Sequence, residues 1–294
     1  MKKNILVFGS VCIDNTVFTN VLPNAGTTVK GNSYFSNVGG KGANQACASL
    51  FLGGKVTFLG AVGKDDNGER IKQFLKEQKL SSRIKESDKA TGVAFITLEE
   101  KSGENRIIIV QGANLDLTKE DIDKNSDLFK EGDILLTQLE TPIETVEYVL
   151  KLAHDKGMIV ILNPAPVGPI NTDTFKYVDY LVPNEHELEQ LSDTSDIEKG
   201  AEKLLKMGAK NVIVTLGEKG SLLITKEEHI YCPPHKVEAV DTTAAGDSYL
   251  GALVTKLAEG KDILDAMKFA TLASSITVTR KGAIVALPHL EELK

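Results

Sequence analysis

The segment ILLTQLETPIETVEYVLKLAHDKGMIVILNPAP, residues 134–166, decides the fold class. Ile134–Thr137 and Met158–Leu162 are short apolar runs of strand length, and Ile143–Asp155 between them carries apolar residues at helical spacing. Strands that are apolar on both faces belong inside a parallel sheet, and joining parallel strands takes a crossover of a dozen or more residues. The same rhythm runs downstream. Tyr180–Val182 and Val212–Leu216 read as strands, and Glu185–Leu191, Ile197–Met207, Tyr249–Ala258 and Leu264–Thr277 as helices. Upstream, strands Ile5–Gly9 and Val56–Ala61 accompany helices Ala43–Leu52 and Asn67–Gln78. The expectation is an α/β fold, a mostly parallel sheet with helices on both faces.

Two stretches break the alternation, roughly 11–36 and 92–110. Both are extended, and Pro23-Asn24-Ala25-Gly26 marks a turn in the first. In the second, Gly92–Leu98 and Arg106–Val110 flank a polar hairpin. They predict a small second sheet inserted in the first, a lid. No internal repeat or Pro-rich linker divides the chain, so residues 1–294 are expected to form a single domain.

Hydrophobic residues make up 41% of the chain and charged residues 26%, the balance of a globular protein with a sizeable core. The net charge is −7 and no basic stretch is concentrated, so nucleic acid is not an expected partner. No apolar run approaches the length of a membrane span, so no membrane is expected either. Cys12, Cys47 and Cys232 form neither a disulfide framework nor a zinc pattern, and a cytoplasmic location is the natural reading. His154, His186, His229, His235 and His289 lack metal-ligand spacing and read as surface residues. The opening Met1-Lys2-Lys3-Asn4 and apolar Ile5–Phe8 are too short for a signal peptide and read as a first buried strand.

In open α/β sheets ligands bind beyond the carboxyl ends of the strands. Gly9–Asp14, Gln138–Glu140, Asn163–Pro166, Asn184 and Thr215–Gly220 all follow predicted strands. The most telling loop is Asp241-Thr242-Thr243-Ala244-Ala245-Gly246-Asp247, which runs straight into a helix. Its small residues allow close backbone approach, and the first N–H groups of the helix attract an anion, phosphate above all. Asp247 on that turn is out of place if the only task is to hold phosphate. It suits removal of a proton from an alcohol that attacks the phosphate.

Gly39-Gly40-Lys41-Gly42-Ala43-Asn44-Gln45 is a second glycine-rich loop entering a helix: a ligand loop in which Lys41 and Asn44 offer hydrogen bonds, or a flexible loop with a solvated lysine. It is not a P-loop, and no Gly-x-Gly-x-x-Gly exists. Glu140 at a strand end suits sugar hydroxyls or caps the helix after Pro142. Asn184 and Glu187 position hydrated Mg²⁺ or phosphate, or cap their helix. Thr215-Leu216-Gly217-Glu218-Lys219-Gly220 is a strand-end glycine loop that could accommodate a nucleotide, a signal that is weak alone. Exposed carbonyls of Thr279–Ala283, after the last long helix, could join Asp241 and Thr243 in holding a monovalent cation, although nothing in the spacing demands it.

Together these motifs resemble the ribokinase family, the PfkB-type carbohydrate kinases. The matching pieces are Gly9-Ser10 with Asp14, GGKGANQA (39–46), the glycine-rich run near 60–68, GAN (112–114), QLE (138–140), LNPAP (162–166), PNE (183–185), TLGEKG (215–220), DTTAAGD (241–247) and TRKGA (279–283). They span essentially the whole chain in order. The resemblance implies a Rossmann-like three-layer α/β domain with a β-lid that closes over the sugar and often pairs two subunits. It implies ATP-dependent phosphorylation of a pentose at its 5-hydroxyl, D-ribose first. Carried over, Asp247 is the base, and the Ala245 and Gly246 amides form the anion hole. Cys12, Asp14, Gly39, Gly40, Lys41, Asn44 and Glu140 line the sugar site. Asn184, Thr215, Leu216, Gly217, Glu218, Lys219, Gly220, Gly246 and Thr271 contact ATP. Asn184 and Glu187 match the Asn-x-x-Glu element linked to Mg²⁺ and phosphate. Asp241, Thr243, Thr277, Arg280, Gly282 and Ala286 match positions that surround K⁺, largely through carbonyls.

Two positions depart from the pattern. Thr271 stands where Asn or His is usual near the adenine, and Cys12 stands where a sugar-contacting Asn is expected. A thiol replaces an amide poorly, and a site lacking its hydroxyl partner accepts the deoxy sugar. The similar deoxyribokinases also lack that Asn, which makes 2-deoxy-D-ribose a rival substrate. Fructose, a nucleoside or a hexose phosphate is a further alternative acceptor. A catalytically silent sugar-binding regulator is the alternative outside enzymes, and the intact Gly246-Asp247 pair argues against it.

Overall fold

Val7 and Phe8 point to opposite sides of one strand, and each meets a different core. The structure, a computed structural model, describes residues 2–293. In chain order the first elements are β1 (Asn4–Phe8), β2 (Cys12–Thr19), β3 (Gly31–Gly39), α1 (Lys41–Phe51), β4 (Lys55–Gly63), α2 (Asp66–Glu77) and β5 (Ser81–Ser87). Then come β6 (Gly92–Glu99), β7 (Asn105–Val110), α3 (Lys119–Asp123), β8 (Ile134–Thr137), α4 (Ile143–Asp155), β9 (Ile159–Leu162) and β10 (Tyr180–Leu181). The last are α5 (Glu185–Ser192), α6 (Ile197–Lys206), β11 (Asn211–Thr215), β12 (Ser221–Ile224), β13 (His229–Cys232), α7 (Ala245–Ala258) and α8 (Ile263–Thr277).

The main sheet has nine strands in the order β13-β12-β11-β10-β9-β8-β1-β4-β5. It is parallel from β5 to β11 and antiparallel at the β12–β13 edge. Ile5 and Val7 join Ala46, Ile71, Leu250 and Ala270, from α1, α2, α7 and α8, in one core. Leu6 and Phe8 join Ile122, Val146, Leu188 and Leu204, from α3, α4, α5 and α6, in the other. The expected three-layer α/β architecture is therefore present. The strand order reverses at β1, the topological switch where such sheets bind ligands. No helix among the described residues is long and apolar enough to cross a membrane.

Three strands escape the sequence pattern. β5 reads SSRIKES, too polar for a buried strand, but it is the sheet's outer edge and needs no apolar second face. β12 and β13 are four residues each and form a hairpin at the opposite edge, too short to show periodicity.

The extended stretches form a separate four-stranded sheet, order β3-β2-β6-β7. Its register fixes two faces. Asp14, Thr16, Phe35, Ile96, Ile107 and Ile109 share one; Asn15, Val17, Tyr34, Phe95, Ile108 and Val110 share the other. Asp14 thus joins this sheet to the end of β1.

Candidate active site

The loop before α7 makes the turn expected of it, with one change. Ala244 takes the left-handed conformation (φ 59°, ψ 13°), which disfavours a residue with a Cβ by roughly 1–2 kcal/mol. Its carbonyl accepts from the Ser248 N–H at 2.8 Å, which starts the helix. The Ala245 N–H, expected to face an anion, closes a turn onto the Thr242 carbonyl at 3.2 Å. Within the first turn of α7, the N–H groups left without an acceptor among the described residues are those of Gly246 and Asp247.

The Asp247 carboxylate is 7% exposed and doubly held. Asn44 Nδ2 donates to Oδ2 at 2.8 Å, and Gln45 Nε2 donates to Oδ1 at 2.9 Å. Gln45 also donates to Asn163 Oδ1 at 3.2 Å and accepts from Gln138 Nε2 at 2.6 Å. Asn163 Nδ2 donates to the Val182 carbonyl at 3.1 Å. These amides reach Asp247 because α1 starts hard against the end of β1. A Cβ at Gly42 would lie 2.6 Å from the Gly9 carbonyl carbon and from the Ser10 nitrogen. Gly40, which caps the helix, has φ 92°.

Glu140 does not cap α4, whose N-terminus at Pro142 has no side-chain cap. Its Oε2 accepts from Ser10 Oγ at 2.5 Å and from the Lys41 N–H at 3.2 Å. Asp14 lies alongside. Burial, reinforced by Glu140 and Asp247 and opposed by the Cys12 thiol, pushes its carboxyl from 3.8 up to about 6. Cys12 Sγ donates to Asp14 Oδ1 at 3.1 Å. Burial first, then Asp14, holds that thiol well above its ordinary range. Gly39 makes room for the carboxylate: a Cβ there would sit 1.9 Å from Asp14 Oδ2. Burial pulls the Lys41 ammonium down, but Asp247, Glu140 and Glu187 outweigh it, and the net shift is upward. Lys41 stays charged among these acids.

A cavity of about 190 Å³ opens over the start of α7, with Lys41, Asn184, Glu187, Thr215, Gly246 and Asp247 in its lining. Asn184 and Glu187 form a reciprocal cap on α5, both bonds lying between 2.8 and 2.9 Å. Glu187 is pushed upward, chiefly by burial. Thr215 bridges to Asn184, which brings the two strand ends together. Beyond it, the Leu216 N–H donates to the Gly220 carbonyl at 2.8 Å around a tight turn of Gly217, Glu218 and Lys219. Thr271 does not present its hydroxyl to this cavity. It donates to the Met267 carbonyl at 2.9 Å and lies 3.6 Å from Cys232 Sγ, buried. The helical backbone claims the hydroxyl expected near the adenine.

Asp241 gathers the expected cation loop. Its carboxylate accepts from the Thr243 N–H and the Gly282 N–H, each at 2.9 Å. The Asp241 N–H donates to the Val278 carbonyl at 3.2 Å, and the Arg280 N–H to the Thr277 carbonyl at 3.1 Å. Ala286 closes a buried turn onto Ala283, and no hydrogen bond ties it to Asp241 among the described residues. No cluster of three His, Cys, Asp or Glu side chains suited to a metal occurs among those residues.

The sequence places Ser10, Gln138 and Asn163 in candidate site stretches without an individual role, and it singles out neither Gln45 nor Asn114. Asn114 clamps the Val11 backbone from both sides, at 3.0 and 2.8 Å, and so fixes the loop between β1 and β2. All five stand inside the motifs already quoted. The available signal was a polar side chain within an otherwise small or apolar stretch.

The pfkB family carbohydrate kinases match the chain over residues 2–290. The chain belongs to that family. Ribokinase of Schizosaccharomyces pombe is 39% identical, over 99% of this chain and 96% of its own length. Deoxyribokinase of Salmonella typhimurium is 36% identical, over 98% and 97%. Among solved structures, Thermotoga maritima ribokinase superposes with a TM-score of 0.92 at 42% identity, covering 99% of this chain and 98% of that one. Arabidopsis thaliana ribokinase complexed with ribose and ATP gives 0.88 at 32%, covering 100% and 98%.

Proposed function

We propose that the chain phosphorylates D-ribose at its 5-hydroxyl with ATP. One observation carries the reading: Asp247, held by two amides, stands beside two unclaimed N–H groups at a helix start. The full-length similarity to ribokinases, one of them solved with ribose and ATP, supports the substrates. In this reading Asp247 takes the hydroxyl proton, a contribution of ~10²–10⁴ in rate. The free N–H groups and Lys41 stabilise the phosphoryl group in transit. Asp14, Gly39, Gly40, Lys41, Asn44 and Glu140 hold the sugar. Asn44 Oδ1, buried and without a partner, is an acceptor waiting for a donor. Asn184 and Thr215–Gly220 hold the nucleotide.

The residues present fit the ions the family implies. Glu187, raised by burial, gains from a neighbouring cation. Mg²⁺ keeps several waters, so Asn184 and Glu187 would reach it through water, and bound there it neutralises phosphate charge. The Asp241 loop offers a carboxylate and backbone carbonyls, oxygen donors of the kind that replace the hydration shell of K⁺. The small sheet reads as a lid within a single domain, and the face bearing Tyr34, Phe95 and Ile108, each more than half exposed, supports a homodimer through it. Three free cysteines fit a cytoplasmic enzyme.

A second reading, 2-deoxyribose as substrate, is favoured by Cys12: its S–H is directed at Asp14, so it offers a 2-hydroxyl little. The test is kcat/KM for ribose, 2-deoxyribose, fructose and adenosine, with Asp247→Asn and Cys12→Asn alongside. Ribose is expected to lead, and Asp247→Asn to bind both substrates without turnover. A lead by fructose or adenosine would overturn the pentose. Cys12→Asn is expected to move the ratio toward ribose, and an unmoved ratio removes Cys12 from selectivity.

A further inference from the structure

We infer that Gln45 is a positioning residue for the base: it pins Oδ1 of Asp247 and leaves Oδ2 as the oxygen that takes the proton. The inference rests on the proposed role of Asp247. It follows from the polarity of a buried chain of amides. The Val182 carbonyl only accepts, so Asn163 must turn Nδ2 toward it, at 3.1 Å. That turns Asn163 Oδ1 toward Gln45, which answers with Nε2 at 3.2 Å. The same nitrogen donates to Asp247 Oδ1 at 2.9 Å, so both of its N–H bonds are used. Gln45 Oε1 faces the other way and accepts from Gln138 Nε2 at 2.6 Å. Gln45 and Gln138 are 0% exposed, so no water replaces a broken bond.

A proton on Oδ1 would meet the Gln45 N–H, donor against donor. Reversing Gln45 would set its oxygen against Asn163 Oδ1. Reversing Asn163 in turn would set oxygen against the Val182 carbonyl. Gln138, whose Oε1 has no partner among the described residues, is able to turn with Gln45, but along the Asn163 branch each correction moves the conflict outward to the Val182 carbonyl and removes none.

Oδ2 is different. Its partner is Asn44 Nδ2, and the other end of that amide, Oδ1, has no partner among the described residues. Turning the Asn44 amide over breaks no bond within the protein at its far end, where a sugar hydroxyl accepts as well as donates, and lets its oxygen accept from a protonated Oδ2. In the transfer, the sugar O–H bond breaks and Oδ2–H forms. The sugar oxygen bonds to the γ-phosphorus, and the bridging P–O bond breaks with its electron pair going to ADP. The charged groups facing Asp247 are Lys41 from α1, Asp14 from β2 and Glu187 from α5. None is hydrogen-bonded to either carboxylate oxygen among the described residues, so they set the charge balance and the amides choose the oxygen.

Gln45→Glu tests this with a side chain of the same shape. The introduced carboxyl donates to Oδ1 only when protonated, and when ionised it repels Asp247. The ratio of variant to wild-type kcat is expected to fall ~10-fold or more between about pH 6 and pH 8, with the sugar KM within ~3-fold. Gln45→Met, apolar and of similar size, is expected to be slow at every pH with a flat ratio. Gln138→Met, which removes only the outer bond, is expected to lower kcat several-fold without moving KM, and it keeps the chain of amides testable if Gln45→Glu does not fold. A flat ratio in folded Gln45→Glu, or unchanged kcat in Gln138→Met, overturns the inference. Asp247→Asn separates the two readings: if that variant turns over, the base assignment itself fails.

Discussion

The floor of the site and the small sheet above it are built on opposite terms. On the floor, Asn44, Gln45, Gln138 and Asn163 are at most 8% exposed and are tied to one another or to Asp247 by side-chain amides. In the small sheet, Tyr34 is 65% exposed and Ile108 is 68% exposed. The floor is a buried polar network whose side chains hold one another in place. The sheet presents an exposed apolar surface. Catalytic geometry calls for the first, since a misplacement of about 1 Å costs ~10² in rate. The lid and the subunit contact proposed for the small sheet would call for the second. Asp14 belongs to both regions: it stands on β2, and Glu140 and Asp247 both bear on its charge.

The sharpest way to break this division is to disturb the seam. Gly39→Ala places a methyl 1.9 Å from Asp14 Oδ2, where no side chain fits without moving the carboxylate. We expect kcat/KM for the sugar to fall ~10²-fold, with KM for ATP changed far less. Near-equal losses for sugar and ATP would mean that the main sheet had shifted and that the seam is not local.

The seam also titrates. Asp14, raised to about 6 chiefly by burial, binds a proton in the folded state at pH values where the unfolded chain has released it. Its contribution to stability is full below its ordinary value of 3.8 and is lost as pH rises through about 6. Sugar binding runs the other way, because an ionised carboxylate is the better acceptor for hydroxyls. Sugar KM should therefore rise several-fold as pH falls from about 7 to 5. Asp14→Asn should flatten that dependence and raise Tm by a few degrees at neutral pH, with no gain at acid pH. A Tm gain that persists at pH 4 would assign the effect to packing rather than to charge.

What was legible in the sequence follows the same division. Helix and strand periods are local, so 134–166 announced the parallel sheet and Asp241–Asp247 announced a helix start with an acid on it. The Gln45–Asp247 bond joins residues 202 apart, and the Ser10–Glu140 bond residues 130 apart. No period or spacing carries such pairs, and they form only when α1, α7 and β8 meet at the switch point. The polar edge strand β5 and the short β12–β13 hairpin were illegible for another reason: strands at a sheet's edge are not obliged to be apolar. Ala244 shows the limit most clearly. Its left-handed backbone sends the Ala245 N–H back onto Thr242 and shifts the free pair of amides by one residue.

The smallest expected effect on chemistry tests the other side of the comparison. Ile108 and Phe95 are paired across β6 and β7 on the face opposite Asp14, so a charge there reaches no group on the floor. Ile108→Lys adds an ammonium to the exposed apolar face proposed to meet a second subunit. Sedimentation should show a shift from dimer toward monomer, because burying an unpaired charge opposes association. With a floor independent of the sheet's outer face, kcat at saturating sugar should stay within ~3-fold, and a modest rise in sugar KM would report a looser lid. A wild type that sediments as a monomer would leave this face without the partner proposed for it. A loss of kcat matching that of Asp247→Asn would show that the outer face, through β2 and Asp14, holds the floor in place.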